Sequence, residues 1–328
     1  MRVSAGFAVC AAVLMTILAA PIATAQVVKE YTVPRGDHPH DVAPAPDGSV
    51  WYTAQAGGAL GRLDPITGRV SRVSLGAGSR PHGVIVGPDG AAWVTDSGLN
   101  AILRVDPLTS AIRRYPLPAG AAYADLNTAA FDSKGTLWFT GQAGYYGSVN
   151  PDSGRTRVFE APRGRGPYGI TGSPDGYVYF VSLAGSYVGR IDPRTGEVTV
   201  LEPPWPGQGT RRIWADSRGI LWITGWSSGA LLRLDPRTKD WKQYALPERA
   251  PCPMHSMSMR VTGYGSAILP PTPSSFMNPE QTHLPPFPSP ARGLRYGRCW
   301  GGRENSGARN QGPTSLWLSV IEFLEIVK

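Results

Sequence analysis

Between residues 30 and 250, apolar residues come in runs of four or five, alternating or continuous, and turn-forming residues cut the runs at regular places. One stretch, Gly83 to Pro118, shows the pattern: "GVIVG", "PDG", "AAWVTD", "AILRVD", "PLTS" and "AIRRYPLP". Such runs have the length of strands, and Pro-Asp-Gly and Asp-Pro-x-Thr-Gly supply the turns between them. Proline presets φ within a turn, and glycine accepts the positive φ that a tight reversal needs. Each stretch therefore reads as a four-stranded antiparallel meander.

The stretch is repeated. Trp51, Trp93, Trp138, Tyr179 and Trp222 fall in one register, with steps of 42, 45, 41 and 43 residues. A second beat follows each aromatic: "GRLDPITG" from Gly61, "LRVDPLTS" from Leu103, "GSVNPDSG" from Gly147, "GRIDPRTG" from Gly189 and "LRLDPRTK" from Leu232. A fixed period near 43 residues marks a repeat architecture. A sheet this small cannot bury both of its apolar faces alone, so copies must stack, and at this period they stack as blades around an axis. The expected fold class is all-β, a β-propeller of four-stranded antiparallel blades, with five blades recognisable over residues 30–250. The segment "EYTVP", Glu30 to Pro34, matches the outer strand of later units but has no blade before it. It is expected to close the ring by completing a C-terminal blade that lacks one strand.

Composition adds three limits. Gly (40) and Pro (32) are abundant, which favours many turns over long helices. Net charge is +8, but the arginines are scattered singly and do not cluster with aromatics, so a solvated basic surface is expected and nucleic acid is set aside. The start has Arg2, an apolar run through Ala20, and "ATA" before Gln26, the pattern of a secretory signal cut after Ala25. The expectation is an exported protein, periplasmic or extracellular, with no stable membrane span once residues 1–25 are removed, and a monomer. Cys10 leaves with the signal; Cys252 and Cys299 have no metal or redox spacing.

After "QYALPERAP" the repeat stops. Residues 251–328 are proline-bunched and aperiodic, ending in a helix-like "SLWLSVIEFLEIVK". When each residue's third base is read with the next residue's first two, the pattern returns. Pro253 with Met254 then permits His, Tyr264 with Gly265 permits Trp, and the stretch beyond permits an echo of "TDSGLNAILRVDPLT". A further shifted Trp falls at Ser306 and Gly307, so the steps from Trp222 are 42 and 42. This reading makes the tail an out-of-frame continuation and the parent a seven-bladed propeller. Resequencing codons 247 to 253 tests it, and an unbroken frame matching the tail as written overturns it.

The position eleven residues before each aromatic holds His40, His82, Asn127, Tyr168 and Arg211. At the start of each innermost strand these side chains would converge on one mouth of the channel, as ligand sites in propellers do. Together they offer donors, acceptors and one fixed cation, suited to a polar or amide-rich ligand: a small molecule or, for a non-catalytic propeller, a peptide, glycan or cell-envelope ligand. The other reading is that they cap blade turns and bond neighbouring backbone. "DHPHD", Asp37 to Asp41, could suggest a metal site, but Pro39 constrains His38 and His40 and no third ligand is identifiable, so a solvated turn is expected and no metal ligand is assigned. In the repeated Arg-x-Asp-Pro, Asp is expected to accept local backbone N–H groups, leaving Arg free to pair with a neighbouring blade. The in-register aromatics are expected to pack between blades. Trp205 and Trp226 lie outside that register and could line the mouth.

The combined pattern, "[RG]-P-[HY]-[GA]-[IV]", "DG.[VL]WF[TV]", "N.IGR[IV]DP.TG" and "YPLP", resembles the streptogramin lyase (virginiamycin B lyase) family over residues 30 to 247. The resemblance implies a seven-bladed propeller that linearises cyclic depsipeptide antibiotics by elimination at an ester, an antibiotic-resistance activity, with magnesium assisting and a histidine as base. It also implies a substrate-contacting His in a sixth unit, a Glu-x-His in a seventh, and a Glu after the seventh Trp. Abstracting a weakly acidic Cα proton needs a base that is neutral near operating pH and a metal for the developing charge. The chain as written holds no identifiable copy of these residues, no magnesium ligand and no assigned catalytic residue. The shifted frame permits the sixth-unit His, and Arg309 with Asn310 permits the Glu. It does not permit the seventh-unit base: Arg295 with Tyr296 allows only Leu, Ile or Val, and Tyr296 with Gly297 only Trp or Arg.

Overall fold

Strands stay at four to six residues because the turns that end them are closed by their own side chains. In the first unit Asp64 accepts the Ile66 N–H at 2.8 Å and the Thr67 hydroxyl at 2.6 Å. Asp106, Asn150, Asp192 and Asp235 cap the equivalent turns of the next four units. The donors leave their mark on acidity. The Thr67 hydroxyl, the Thr109 N–H and the Arg194 guanidinium hold Asp64, Asp106 and Asp192 below the usual carboxylate range, Asp192 at about 2.

The structure, a computed structural model, describes residues 28–121, 123–246 and 315–319. Within them lie five four-stranded antiparallel sheets, each in chain order. The first comprises Pro39–Pro44, Val50–Ala54, Ala59–Leu63 and Val70–Ser74. The other four begin with Pro81–Val86, Leu126–Phe131, Pro167–Gly172 and Thr210–Ala215. These leading strands pack side by side in chain order, which makes them the innermost strands of consecutive blades.

The core lies between the sheets. Trp51 packs with Val84, Ala92 and Val94 of the next blade, Trp93 with Leu137 and Phe139, Trp138 with Val178 and Phe180, and Tyr179 with Ile213 and Leu221. All four aromatics are at most 1% exposed. A buried aromatic with a polar tip usually finds a partner for it, and among these four only Trp51 Nε1 has none among the described residues. Trp93 Nε1 donates to Asp89 at 3.2 Å, Trp138 Nε1 to Asp132 at 3.0 Å, and the Tyr179 hydroxyl to Asp175 at 2.6 Å, each acceptor standing in the first turn of the same blade.

A second device fixes neighbouring blades at the axis. The innermost strands slip register near their starts, for example between Pro39 and Val42 and between Pro81 and Gly83. A bulge leaves a backbone N–H without its ladder partner and turns a side chain off the sheet. A threonine two residues after the in-register Trp takes up that N–H: Thr53 accepts from Asp41 N at 3.0 Å, Thr95 from Gly83 N at 2.9 Å, and Thr224 from Arg212 N at 3.0 Å. Thr53 then donates to His82 O at 2.9 Å and Thr95 to Asn127 O at 2.5 Å, both in the next blade. Thr140 makes the same bond to Tyr168 O. The fourth blade has Val181 in that slot, and Thr210 of the fifth instead donates back to Ser182 O at 3.0 Å.

The Val28–Thr32 strand lies outside the five blades. Tyr31 and Val33 cover the first blade's Tyr52, Ala54 and Leu63, and the strand pairs antiparallel with Ser315–Ser319, from Val28 opposite Ser319 to Thr32 opposite Ser315. This corrects the helix-like reading of the final segment over Ser315–Ser319. A short apolar run has no period of its own to separate helix from strand, and the free edge of Val28–Thr32 offers backbone partners. Residues 1–25, read as a signal, all three cysteines, and residues 251–314 and 320–328, with the frame reading placed on them, lie outside the described residues.

Candidate functional site

The second residue of each innermost strand is, in order, His40, His82, Asn127, Tyr168 and Arg211. The bulge follows directly in every blade, so each of these side chains is aimed away from its own sheet toward the axis. They meet there. The His40 and His82 rings are 3.9 Å apart, His82 is 6.4 Å from the Tyr168 ring, and Arg211 Nη2 donates to the Tyr168 hydroxyl at 2.8 Å. A close backbone approach makes this possible: a Cβ on Gly169 would stand 2.7 Å from Arg211 O and 2.9 Å from Arg212 Cα.

The histidines combine both roles considered from sequence, since they face the mouth and also bond neighbouring backbone. His40 Nδ1 lies 3.2 Å from His82 O, and His82 Nδ1 lies 3.2 Å from Asn127 O. A carbonyl can only accept, so Nδ1 carries the hydrogen in both rings and Nε2 keeps its lone pair. Asn127 Nδ2 faces His82 Nε2 at 3.4 Å, which turns the Asn127 carbonyl oxygen the other way. Burial pushes the His82 pKa well below its ordinary value, and His40 and Arg212 push it further. His40 is lowered too, first by desolvation, with Asp41 pulling upward and Arg212 and Arg211 downward. Both imidazoles are therefore neutral near pH 7.

The fifth blade supplies the cations. Arg211 lies between two rings, 4.2 Å from the Trp226 centroid and 4.8 Å from that of Tyr168, and Arg212 lies 5.6 Å from Tyr168. Two buried atoms of the mouth have no protein partner among the described residues, Asn127 Oδ1 and Arg211 Nε. One needs a donor and the other an acceptor.

Several expectations change here. Asp37 of "DHPHD" is not part of a solvated turn: it is fully buried, takes the Tyr52 hydroxyl at 2.7 Å and pairs with Arg72 at 2.9 Å. Burial, and then that bond, raise the Tyr52 pKa far above its ordinary value. His38 is exposed, with φ of 48°. Among the described residues no three His, Cys, Asp or Glu side chains stand close enough to hold a metal. The Arg of Arg-x-Asp-Pro turns mostly to its own blade: Arg104 bonds Asp89 at 2.6 Å and Arg62 bonds Asp47, though Arg62 also reaches Pro107 O of the next blade at 2.8 Å. Trp226 stands at the mouth, whereas Trp205 packs into the core between the fourth and fifth blades. Sequence reasoning missed Arg212 and the threonines. The threonines were readable as the recurrent third letter of "WYT", "WVT", "WFT" and "WIT".

Consecutive four-stranded blades with side chains gathered at one end of their axis define a β-propeller with a polar channel mouth. The chain belongs to the virginiamycin B lyase family, whose profile matches residues 15–263. Virginiamycin B lyase from Staphylococcus aureus, solved with selenomethionine, is 30% identical with a TM-score of 0.60, over 66% of this chain and 73% of that one. A catalytically inactive histidine-to-alanine variant of the S. aureus lyase, solved with quinupristin, is 24% identical with a TM-score of 0.57, over 71% of this chain and 91% of that one. No curated protein sequence matches the chain.

Proposed function

We propose that the chain binds a polar, amide-bearing small molecule or peptide at the channel mouth. The observation that carries this reading is the complementary pair of unmet groups, Asn127 Oδ1 as acceptor and Arg211 Nε as donor, at the meeting point of the blades. Leaving buried polar atoms unpaired costs about 1–3 kcal/mol each, and a ligand with one N–H and one carbonyl or carboxyl oxygen would remove both penalties. The neutral imidazoles and the Tyr168 and Trp226 rings give such a ligand flat, partly apolar walls. Export through residues 1–25 is part of the reading.

A second reading is favoured by family membership: ring opening of a cyclic depsipeptide by elimination at its ester. His40 and His82 both keep an Nε2 lone pair to offer as base, that of His82 already facing Asn127 Nδ2. Titrating the full chain with quinupristin, with and without magnesium, and recovering the ligand by reversed-phase chromatography separates the two. Binding with the ligand returned intact is the expected result. Magnesium-dependent conversion to a linear product would favour the lyase, and no binding under either condition would overturn both.

A further inference from the structure

Two arginines stand at the mouth, where Asp41 is the carboxylate beside the same His40 that both of them affect. Neither Arg211 nor Arg212 forms an ion pair among the described residues. Arg211 is also held in place: Trp226 covers one part of its guanidinium, Tyr168 another, and Nη2 is tied to the Tyr168 hydroxyl. A guanidinium stacked on rings has little side-chain freedom left to lose when it meets a ligand.

Its free atom has a direction. Nε and Nη2 share one edge of the guanidinium, an edge that can receive a carboxylate through two parallel N–H···O bonds. Nε is buried and unpartnered. The Tyr168 hydroxyl accepts from Arg211, so its own hydrogen remains to be donated. The Nε–H and the Tyr168 hydroxyl hydrogen are thus two unspent donors on neighbouring groups, and Arg212, 5.6 Å from the same Tyr168 ring, adds a second positive charge. The acceptor needed there is an anionic oxygen pair. Asn127 Oδ1, two blades away at the same mouth, asks for an N–H.

Resting on the reading of the mouth as a ligand site, we propose that Arg211 and Tyr168 form a carboxylate subsite. The ligand is then a peptide-class acid: its free carboxylate lies on the Arg211 edge and an amide N–H reaches toward Asn127.

The test compares N-acetyl-dialanine, which has a free carboxylate, with its C-terminal amide, by calorimetric titration of the full chain. The acid is expected to bind about tenfold or more tightly than the amide, the size of a charge-assisted pair. Arg211→Gln should bring the ratio to about one. Tyr168→Phe keeps the ring and should lower the ratio severalfold, and Arg211→Lys, a point charge without the fork, should restore only part of it. Far-UV circular dichroism confirms that each variant keeps the β-sheet spectrum. Equal binding of acid and amide by the unaltered chain, or a preference that survives Arg211→Gln, overturns the subsite while leaving the ligand mouth standing. Failure of both probes to bind overturns subsite and mouth together.

Discussion

Replacing Trp93 with alanine is expected to lower the free energy of unfolding by about 3–5 kcal/mol, the usual cost of emptying a buried aromatic site. Trp93 is 1% exposed and forms part of the contact between the second and third blades, against Leu137 and Phe139. It stacks on Tyr115 with centroids 5.4 Å apart and meets the Phe131 edge at 5.6 Å, so truncation empties the middle of an aromatic cluster. It also strips Asp89 of one donor, though Arg104 stays bonded there at 2.6 Å. In a repeat architecture a blade rests mainly on its neighbours, so the weakened contact divides the array instead of being absorbed elsewhere. Urea titration followed by tryptophan fluorescence checks this, with Ile66→Ala, at a position 90% exposed, as the control expected within about 0.5 kcal/mol of the unaltered chain. A loss at Trp93 below about 1 kcal/mol would contradict the assignment of the core to the blade contacts.

Acid sensitivity is the second large effect. His82 is 7% exposed and neutral in the fold, with its pKa well below the ordinary 6.5, while in the unfolded chain it titrates normally. Below pH 6.5 the unfolded state therefore binds a proton that the folded state refuses. Stability is full above the unfolded value and falls as pH drops, by up to about 1.4 kcal/mol per pH unit, until the folded ring also protonates. His40 acts in the same direction but is exposed, so solvent screening reduces its share. Arg211 and Arg212 oppose protonation of both rings, and Asp41 favours it at His40. The carboxylates lowered in the turns, such as Asp192 at about 2, titrate well below this window. His82→Gln can keep a donor for Asn127 O but cannot take a proton. The expected result is a urea midpoint that falls between pH 7 and 5 for the unaltered chain and a flatter profile for the variant. Identical pH profiles would show that His82 is not held neutral by the fold.

Legibility from sequence followed the range of each interaction. The Asp64 and Asp106 turns were readable because donor and acceptor lie within three residues. The packing role of Trp51, Trp93, Trp138 and Tyr179 was readable because a once-per-period aromatic has few other uses in stacked sheets. Asp37 was misread because its partners, Tyr52 and Arg72, lie fifteen and thirty-five residues away and no local motif announces them. Arg62 and Arg104 were expected across the blade contact; Arg62 does reach Pro107 O of the next blade, but both also bond turn carboxylates of their own blades. The ring positions His40, His82, Asn127, Tyr168 and Arg211 followed from register alone, but nothing in the register shows that Arg211 stacks on Trp226 or that Asn127 keeps a free oxygen.

The amino-acid sequence by itself determined the period, the number of recognisable blades, the turns that separate strands and the five residues that begin the innermost strands, because each depends on spacing or on contacts within a few residues. Only the tertiary structure decided how blades are pinned, which side chains share the mouth and which polar atoms there stay unpaired. Those outcomes depend on atoms from different blades, such as Thr95 and Asn127 O, meeting at 2.5 Å. The bulges that aim them shift the register by a fraction of a period, a displacement that leaves the apolar pattern unchanged and is fixed only when neighbouring blades close on one another.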